Sequence, residues 1–202
     1  MASLTKLMTV MVALDTFTLD QSIPLGKKSS TTVEQLLTNV LVKSDNAESE
    51  VLAHNHPNGR DEFLRQMNLK AKILGLSNTE YKDASGLDDN NTTTANELVQ
   101  VVLAASKYSF IRQTSTKPEI HRVVKVNNKT HTVKIPNTNK DILFEFDNIL
   151  VSKTGTTRKA GKCLAMLVDN KGEQYAIIIM GEPTKQARDK VARTLILTSI
   201  DN

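Results

Sequence analysis

Three short motifs contain residue types that could together carry out acyl transfer. In chain order they are Ser3-Leu4-Thr5-Lys6, Ser44-Asp45-Asn46 and Lys153-Thr154-Gly155. A serine hydroxyl is a weak nucleophile and needs a neighbouring base. Ser3 and Lys6 are three residues apart, so on a helix they share one face and lie within reach of each other. A lysine can act as that base only when its pKa is lowered, which burial and a second cation such as Lys153 would do.

The second and third motifs suit the remaining steps of such a reaction. Ser44 can relay a proton, and Asn46 can hold both Lys6 and a substrate amide. The backbone after Gly155 can donate to an oxyanion together with the Ser3 N–H. Each motif alone is weak, because each occurs by chance in solvated helices, caps and turns. The joint pattern is stronger, since each motif falls on the kind of element that its role requires.

The predicted elements place the three motifs at a helix start, in a loop between helices and on a strand. Leu4–Leu14 is apolar on nearly all sides and predicts a buried helix. Thr32 predicts the cap of the next helix, with Gln35 reaching back to it. Further helices are predicted over 47–55, 61–74 (closed by Gly75) and 95–105 (capped by Thr94), with a closing helix over 184–199. A short strand is predicted over 21–25, ending at Gly26. Further strands are predicted over 122–126 and 130–135, joined by a hairpin turn at 127–129, and over 149–154, 162–168 and 175–180.

This order predicts an α/β (α+β) fold in which a helical subdomain lies beside an antiparallel sheet. We expect one domain over 1–202, with the helical subdomain at about 27–120 and the sheet with its closing helix at about 121–202. A chain of 202 residues with 39% hydrophobic and 24% charged residues is globular, and is neither disordered nor fibrous. The single cysteine, Cys163, excludes an intrachain disulfide and a cysteine-rich zinc module.

The composition also excludes several classes of binding partner and location. The net charge is +4, the basic residues are spread along the chain and there is no tryptophan, so nucleic acid is not expected as a partner. No segment reaches the roughly 20 apolar residues of a membrane span. Met1–Asp15 is apolar but makes a poor signal peptide. His54 and His56 have no third ligand at a convincing spacing, so no metal site is expected.

The sequence around the three motifs resembles the serine-type D-alanyl-D-alanine carboxypeptidases, the low-molecular-weight penicillin-binding proteins. Ala2–Thr9 is similar to the active-site segment of that family. Segments 32–47, 74–95 and 137–156 are similar to the stretches around its second and third motifs. The resemblance runs from Ala2 to about Ser199 and implies a β-lactamase/DD-peptidase-like transpeptidase fold.

The resemblance also implies a role for each motif residue, with no metal or organic cofactor. The implied catalytic residues are Ser3 as nucleophile, Lys6 as general base, and Ser44 with Asn46 as the second element. The implied substrate-binding residues are Lys153, Thr154, Gly155, Thr156, whose N–H shares the oxyanion hole with that of Ser3, and Arg188, which faces the substrate's terminal carboxylate. The implied partners are the peptidoglycan stem peptide as substrate and β-lactams as inhibitors, in the cell envelope or periplasm.

The implied activity is removal of the terminal D-alanine from peptidoglycan pentapeptide through an acyl-Ser3 intermediate. A class A-like β-lactamase is an alternative, because Ser44-Asp45-Asn46 is the commoner form there. Against it, no Glu-x-x-Leu-Asn segment lies between Asn46 and Lys153, and Gly86-Leu87-Asp88 favours the carboxypeptidase. A third alternative is not an enzyme at all, but an inactive truncated chain or a binding module of a larger assembly such as a phage particle.

Two departures from the family pattern carry further expectations. The family normally has one or two strands before the nucleophile helix, whereas here the nucleophile is residue 3, so an N-terminally truncated fold is expected. Those strands would pair with the predicted strand at 175–180, whose run Ala176–Met180 is apolar and uncharged. An exposed edge of that kind is a template for another chain. We therefore expect self-association, or a strand supplied by another polypeptide, through residues 175–180. Ser44 follows Ser3 by only 41 positions, which is short for the family and should open one wall of the cleft.

Overall fold

A computed structural model describes residues 1–26, 29–126 and 129–201. A 3-10 turn (Ala2–Leu4) leads directly into helix α1 (Thr5–Thr16). Every residue of α1 from Thr5 to Ala13 is buried, as the apolar sequence predicts. The residues of α1 pack against α2 (Val33–Val42), α4 (Gly59–Ile73) and α5 (Ala95–Ala105), so the helix that follows Ser3 is the centre of the helical region.

The remaining helices follow the predicted boundaries closely where the sequence has strong caps. The Thr32 hydroxyl accepts a hydrogen bond from the Gln35 N–H, and the Thr94 hydroxyl accepts one from the Glu97 N–H. The Gln35 side chain does not reach back to Thr32, because its oxygen accepts from the Thr31 hydroxyl instead. β1 (Ser22–Pro24) lies within the strand predicted over 21–25. Three elements were not predicted: its hairpin partner β2 (Ser30–Thr32) and the short helices α6 (Ser109–Ser115) and α7 (Lys140–Glu145). The two other helices are α3 (Asn46–His54) and α8 (Lys185–Asp201).

The strands that follow α6 form two separate antiparallel units rather than one sheet. β5 (Ile149–Thr157), β6 (Gly161–Asn170) and β7 (Glu173–Glu182) make a three-stranded sheet in the order β5-β6-β7. β3 (Glu119–Val126) and β4 (Lys129–Pro136) pair only with each other among the described strands. The sheet expected over 121–202 is therefore divided, because α7 intervenes and the hairpin lies at the surface, with Val123 66% exposed. The predicted turn at Asn127 and Asn128 lies outside the described residues.

The central sheet is covered on both faces, which explains the continuous apolar run of β6. Cys163, Ala165 and Leu167 face the helical region around α1. Leu164, Met166 and Val168 face the opposite side, where they meet α7 and α8. A strand buried on both faces loses the alternation of polar and apolar residues. Cys163 is therefore a buried core residue, as the sequence indicates.

β7 forms one edge of the central sheet. Within the described ranges no other strand pairs with its outer side. Ile177 and Ile179 pack toward α8, while Ile178 packs toward the helical region.

Among the described residues no helix is both long and apolar enough to cross a lipid bilayer.

Candidate active site

The Lys6 side chain makes three hydrogen bonds within the site. The 3-10 turn runs straight into α1, so Ser3 lies one turn before Lys6 on the same side. The Lys6 Nζ donates to Ser3 Oγ at 2.9 Å, to Asn46 Oδ1 at 2.6 Å and to the Ser85 carbonyl at 2.5 Å. Lys6 is fully buried, and an ammonium has three N–H donors, so each donor has one acceptor.

Burial controls the charge of Lys6. It lowers the pKa of Lys6 to about 8, while the carboxylates of Asp83, Asp45 and Glu50 act in the opposite direction. The expected effect of a second cation is found instead at Lys153. There, burial and then the positive charges of Lys6 and Arg188 lower the pKa well below its usual value. With a pKa of about 8, roughly a tenth of the Lys6 side chains are free base at pH 7.

Ser44 and Lys153 form the second contact of the site. Ser44 lies in the loop between α2 and α3 and has a left-handed backbone, with φ of +62°. The Lys153 Nζ, on β5, donates to Ser44 Oγ at 2.9 Å and to the Thr154 carbonyl at 3.1 Å. Asp45 caps α3 by accepting from the Glu48 N–H at 2.9 Å, which makes Asn46 the first residue of the helix. In this motif Ser44 thus has the left-handed backbone, Asp45 caps α3, and the Asn46 side chain reaches Lys6.

Gly155 allows β5 to approach the backbone that carries Ser3. A Cβ on Gly155 would lie 3.1 Å from the Ala2 Cβ and 3.2 Å from the Ser3 N. Ser3 is the second residue of its 3-10 turn, and N–H groups at the start of a helix have no acceptor within it. The Ser3 N–H therefore lies beside the strand whose next residue, Thr156, is exposed to solvent. A backbone donor placed in this way at the cleft can stabilise a developing oxyanion.

One cleft joins the predicted residues. Its volume is about 270 Å³. Seven of the nine predicted site residues line it: Ser3, Ser44, Asn46, Thr154, Gly155, Thr156 and Arg188. The other two, Lys6 and Lys153, lie beneath and contact Ser3 and Ser44 from the protein interior.

Arg188 is a buried residue of the cleft and not a surface arginine of α8. It is 3% exposed, and two of its nitrogens donate to Asp189 Oδ1 at 2.9 and 2.5 Å. A longer contact of 3.5 Å joins it to Asn139 Oδ1. Because Asp189 holds the guanidinium on one side, its remaining donors have a fixed direction. Lys162 and Lys185 also line this part of the cleft, and Lys185 forms ion pairs with Asp141 and Asp189.

Two groups beside the predicted residues were not expected from the sequence: the Thr138 hydroxyl and the Ser85 carbonyl. The Thr138 hydroxyl lines the cleft and accepts a hydrogen bond from the Thr154 hydroxyl, on β5, at 2.7 Å. The Ser85 carbonyl accepts from Lys6, and its loop is held by the carboxylate of Asp83. Gly86-Leu87-Asp88 was the available signal in the sequence, but no spacing rule connects it to Ser3. Within the described ranges there is no group of three His, Cys, Asp or Glu side chains arranged to hold a metal ion.

Comparison with known sequences gives matches over most of the chain. A profile described as D-alanyl-D-alanine carboxypeptidase matches residues 17–184. A D-alanyl-D-alanine endopeptidase of Pseudomonas aeruginosa is 35% identical over 82% of the chain, and one of Escherichia coli is 33% identical over 98% of it. A D-alanyl-D-alanine carboxypeptidase of Bacillus subtilis is 30% identical over 78%. The chain spans 58%, 69% and 40% of the lengths of these three relatives.

Solved structures confirm the expected fold. The Streptomyces K15 DD-transpeptidase superposes with a TM-score of 0.86 and 23% identity, covering 96% of this chain and 85% of that one. Penicillin-binding protein D2 of Listeria monocytogenes, in its cefotaxime-bound form, superposes with a TM-score of 0.82 and 26% identity. That match covers 97% of this chain and 85% of the other. The transpeptidase-like fold predicted from the sequence is therefore correct.

Proposed function

The chain belongs to the D-alanyl-D-alanine carboxypeptidase family of serine peptidases, and from this premise we propose that it hydrolyses peptidoglycan stem peptides after a D-alanine through an acyl-Ser3 intermediate. The observation that carries the proposal is the contact of the buried Lys6 Nζ with Ser3 Oγ at 2.9 Å. A base whose pKa is brought toward neutrality and lies within hydrogen-bond reach activates a serine hydroxyl.

In the proposed reaction, neutral Lys6 accepts the Ser3 hydroxyl proton as Ser3 Oγ attacks the carbonyl carbon of the D-alanyl residue. The N–H groups of Ser3 and Thr156 stabilise the oxyanion of the tetrahedral intermediate. The carbon–nitrogen bond then breaks, and the leaving amine takes the proton that Lys6 accepted, relayed through the Ser44 hydroxyl, which accepts a hydrogen bond from Lys153. In the second half of the reaction a water molecule gives a proton to the neutral Lys6 and attacks the acyl-Ser3 carbonyl carbon. The ester bond then breaks, and Ser3 Oγ takes that proton back from Lys6.

Two substrates share this chemistry and differ beyond the scissile bond. A carboxypeptidase releases a terminal D-alanine, and the guanidinium of Arg188, which lines the cleft and is held by Asp189, supports recognition of its carboxylate. An endopeptidase cleaves within a longer peptide, and the two relatives at 35% and 33% identity carry that name. Carboxypeptidase activity is the first candidate and endopeptidase activity the second. Assaying diacetyl-Lys-D-Ala-D-Ala beside a cross-linked stem-peptide dimer separates them, by release of D-alanine or by conversion of dimer to monomer.

Acylation is tested with a fluorescent penicillin. Ser3→Ala should abolish covalent labelling, and Lys6→Ala should slow it severely because the base is removed. Ser22→Ala is a matched control, since Ser22 is exposed on β1 and away from the cleft. Labelling of Ser3→Ala at the wild-type level would contradict the proposal.

The β-lactamase alternative predicts a different fate for the same adduct. A carboxypeptidase should hold the penicilloyl ester, because no Glu-x-x-Leu-Asn segment provides a deacylating base and water between Asn46 and Lys153. Rapid penicillin turnover without D-alanine release would favour the β-lactamase. No labelling at all in a folded chain would favour a binding module.

The location and assembly of the protein follow from the proposed substrate and from the sheet edge. We assign the chain to one catalytic domain over 1–202 that acts in the cell envelope, where peptidoglycan lies. β7 contains the uncharged run Ala176–Met180 and is an edge strand among the described residues, and we propose that this edge pairs with a second copy or with a strand of another polypeptide. Met180 is a suitable position for a test substitution, because it is 39% exposed, whereas Ile178 packs against the helical core.

A further inference from the structure

Asp83 is a buried carboxylate that collects the polar groups of one loop. It is 8% exposed. Its Oδ1 accepts from the Gly86 N–H at 2.8 Å and from the Asn91 Nδ2 at 2.7 Å. Its Oδ2 accepts from the Ser85 hydroxyl at 2.5 Å and the Leu87 N–H at 3.0 Å, with a longer contact of 3.3 Å to Asp88. We call residues 83–91 the Asp83 loop. Hydrogen bonds from charged groups are stronger than neutral ones, so this carboxylate fixes the loop's shape.

The Asp83 loop is attached to the helices that carry the site. The Ala84 carbonyl accepts from the Thr9 hydroxyl of α1 at 2.6 Å, and the Ala84 N–H donates to Glu50 of α3 at 3.0 Å. The next carbonyl, that of Ser85, accepts from Lys6, as described above. Consecutive carbonyls of one loop thus meet side chains from successive turns of α1.

The same loop touches the turn that carries Ser3. Gly86 has φ of +84°, and a Cβ built on it would lie 2.1 Å from the Ala2 carbonyl oxygen and 3.0 Å from the Ser3 N. The loop and the turn are therefore in backbone contact, and a displacement of one must move the other. The Asp83 carboxylate makes two of its bonds to Ser85 and Gly86, the residues that make these contacts.

We propose that Asp83 is a positioning residue for acylation, which holds the Ser85 carbonyl on Lys6 and the Asp83 loop against the turn of Ser3. The proposal rests on the proposed function, in which Ser3 is the nucleophile and Lys6 the base. Asp83 itself does not line the cleft, so it acts through the backbone of its loop and through its charge. A residue that shapes the site in this way influences the rate without touching substrate.

The charge of Asp83 gives this role a signature that a purely structural role lacks. The titratable groups around Lys6 are the carboxylates of Asp83, Asp45 and Glu50 and the side-chain amine of Lys153. Among the three carboxylates Asp83 has the largest effect, and it raises the pKa of Lys6 against the effect of burial. Removing its charge should therefore let the pKa of Lys6 fall further, and acylation should begin at a lower pH.

The test measures the second-order rate of labelling by a fluorescent penicillin from pH 5 to pH 10. Asp83→Asn removes the charge and keeps the shape, and Asp88→Asn is the matched control. Asp88 lies exposed on the same loop and accepts only from Asn90 with its side chain. For Asp83→Asn we expect the plateau rate to fall by about tenfold or more, and the acidic limb of the profile to move to lower pH. Asp88→Asn should change neither.

A second variant keeps the test decisive if Asp83→Asn folds poorly. Ser85→Ala removes one bond to the Asp83 carboxylate and leaves every charge in place. It should lower the plateau rate without moving the acidic limb. A plateau that falls for Asp83→Asn with an unmoved limb, or a profile like that of Asp88→Asn, would overturn the proposal. Labelling that survives in Ser3→Ala would instead overturn the proposed function, so the two failures are distinct.

Discussion

Gly86→Ala is the substitution whose effect can be worked out most fully from the structure. Gly86 has φ of +84°, a conformation that an alanine adopts at a cost of about 1–2 kcal/mol. The added Cβ would also lie 2.1 Å from the Ala2 carbonyl oxygen and 2.5 Å from its carbon. Both neighbours are backbone atoms, so no flexible side chain can turn away. An ordinary contact begins near 3.4 Å, which requires a displacement of about 1.3 Å between the loop and the turn.

That displacement has two consequences of different kinds. Forcing extra atoms into a packed region costs about 1–3 kcal/mol, so together with the φ cost we expect the free energy of unfolding to fall by about 2–5 kcal/mol. The turn that moves also carries Ser3, and a misplacement of about 1 Å in a catalytic group can reduce the rate about a hundredfold. We therefore expect Gly86→Ala to lose most of its penicillin acylation even under conditions in which it is folded.

Gly172→Ala separates the two contributions to the loss of stability. Gly172 has φ of +94°, and no atom lies within 4 Å of the position that its Cβ would take. This variant should lose only about 1–2 kcal/mol and should acylate at the wild-type rate. The measurements are urea unfolding and the rate of labelling by a fluorescent penicillin, with each variant assayed where circular dichroism shows it folded. Equal losses of stability and activity in the two variants would refute the collision argument.

Three further outcomes are expected. Because only neutral Lys6 can accept the Ser3 proton, the acylation rate should rise with pH through about 8. With a lysine of ordinary pKa, the rise would come only above about pH 10. An acylation rate independent of pH from 6 to 10 would contradict this expectation. Asp189→Ala leaves Arg188 buried without its counter-ion, so the free energy of unfolding, measured in guanidinium chloride, should fall by about 3–5 kcal/mol. A fall below about 1 kcal/mol would show that this ion pair contributes little to stability. Met180→Lys should shift any dimer toward monomer in sedimentation velocity, while an unchanged dimer would place the contact elsewhere.

The sequence predicted the parts of the fold that are governed by local signals. The cap at Thr94, the terminal Gly75 of α4 and the apolar run of β6 are each contained in a short window, and each is found where it was expected. The hairpin of β3 and β4 was also predicted, but its separation from the central sheet was not. Strand patterns specify which faces are buried and do not specify which strand a neighbour pairs with.

The site was predictable to the extent that its residues belong to motifs. Ser3, Lys6 and Ser44 come together as their spacing and elements indicate. Asp83 escaped prediction because its contribution is made through backbone groups of its own loop. The carbonyl that reaches Lys6 belongs to Ser85, and a carbonyl has no signature in the sequence. Contacts of this kind, between segments about 80 residues apart, depend on the completed packing of the helices.

Backbone strain supports the idea that the loop and the turn constrain each other. Among the described residues, the non-glycine positions with positive φ are Ala2 at +52°, Ser44 at +62° and Lys171 at +53°. Lys171 lies in the tight turn between β6 and β7, where such a conformation is common. Ala2 and Ser44 instead adjoin the proposed nucleophile and proton relay. Strain persists only where the surroundings enforce it. At Ala2 those surroundings are the Asp83 loop on one side and Gly155 on the other, so the geometry of Ser3 is imposed by two distant segments rather than by its own helix.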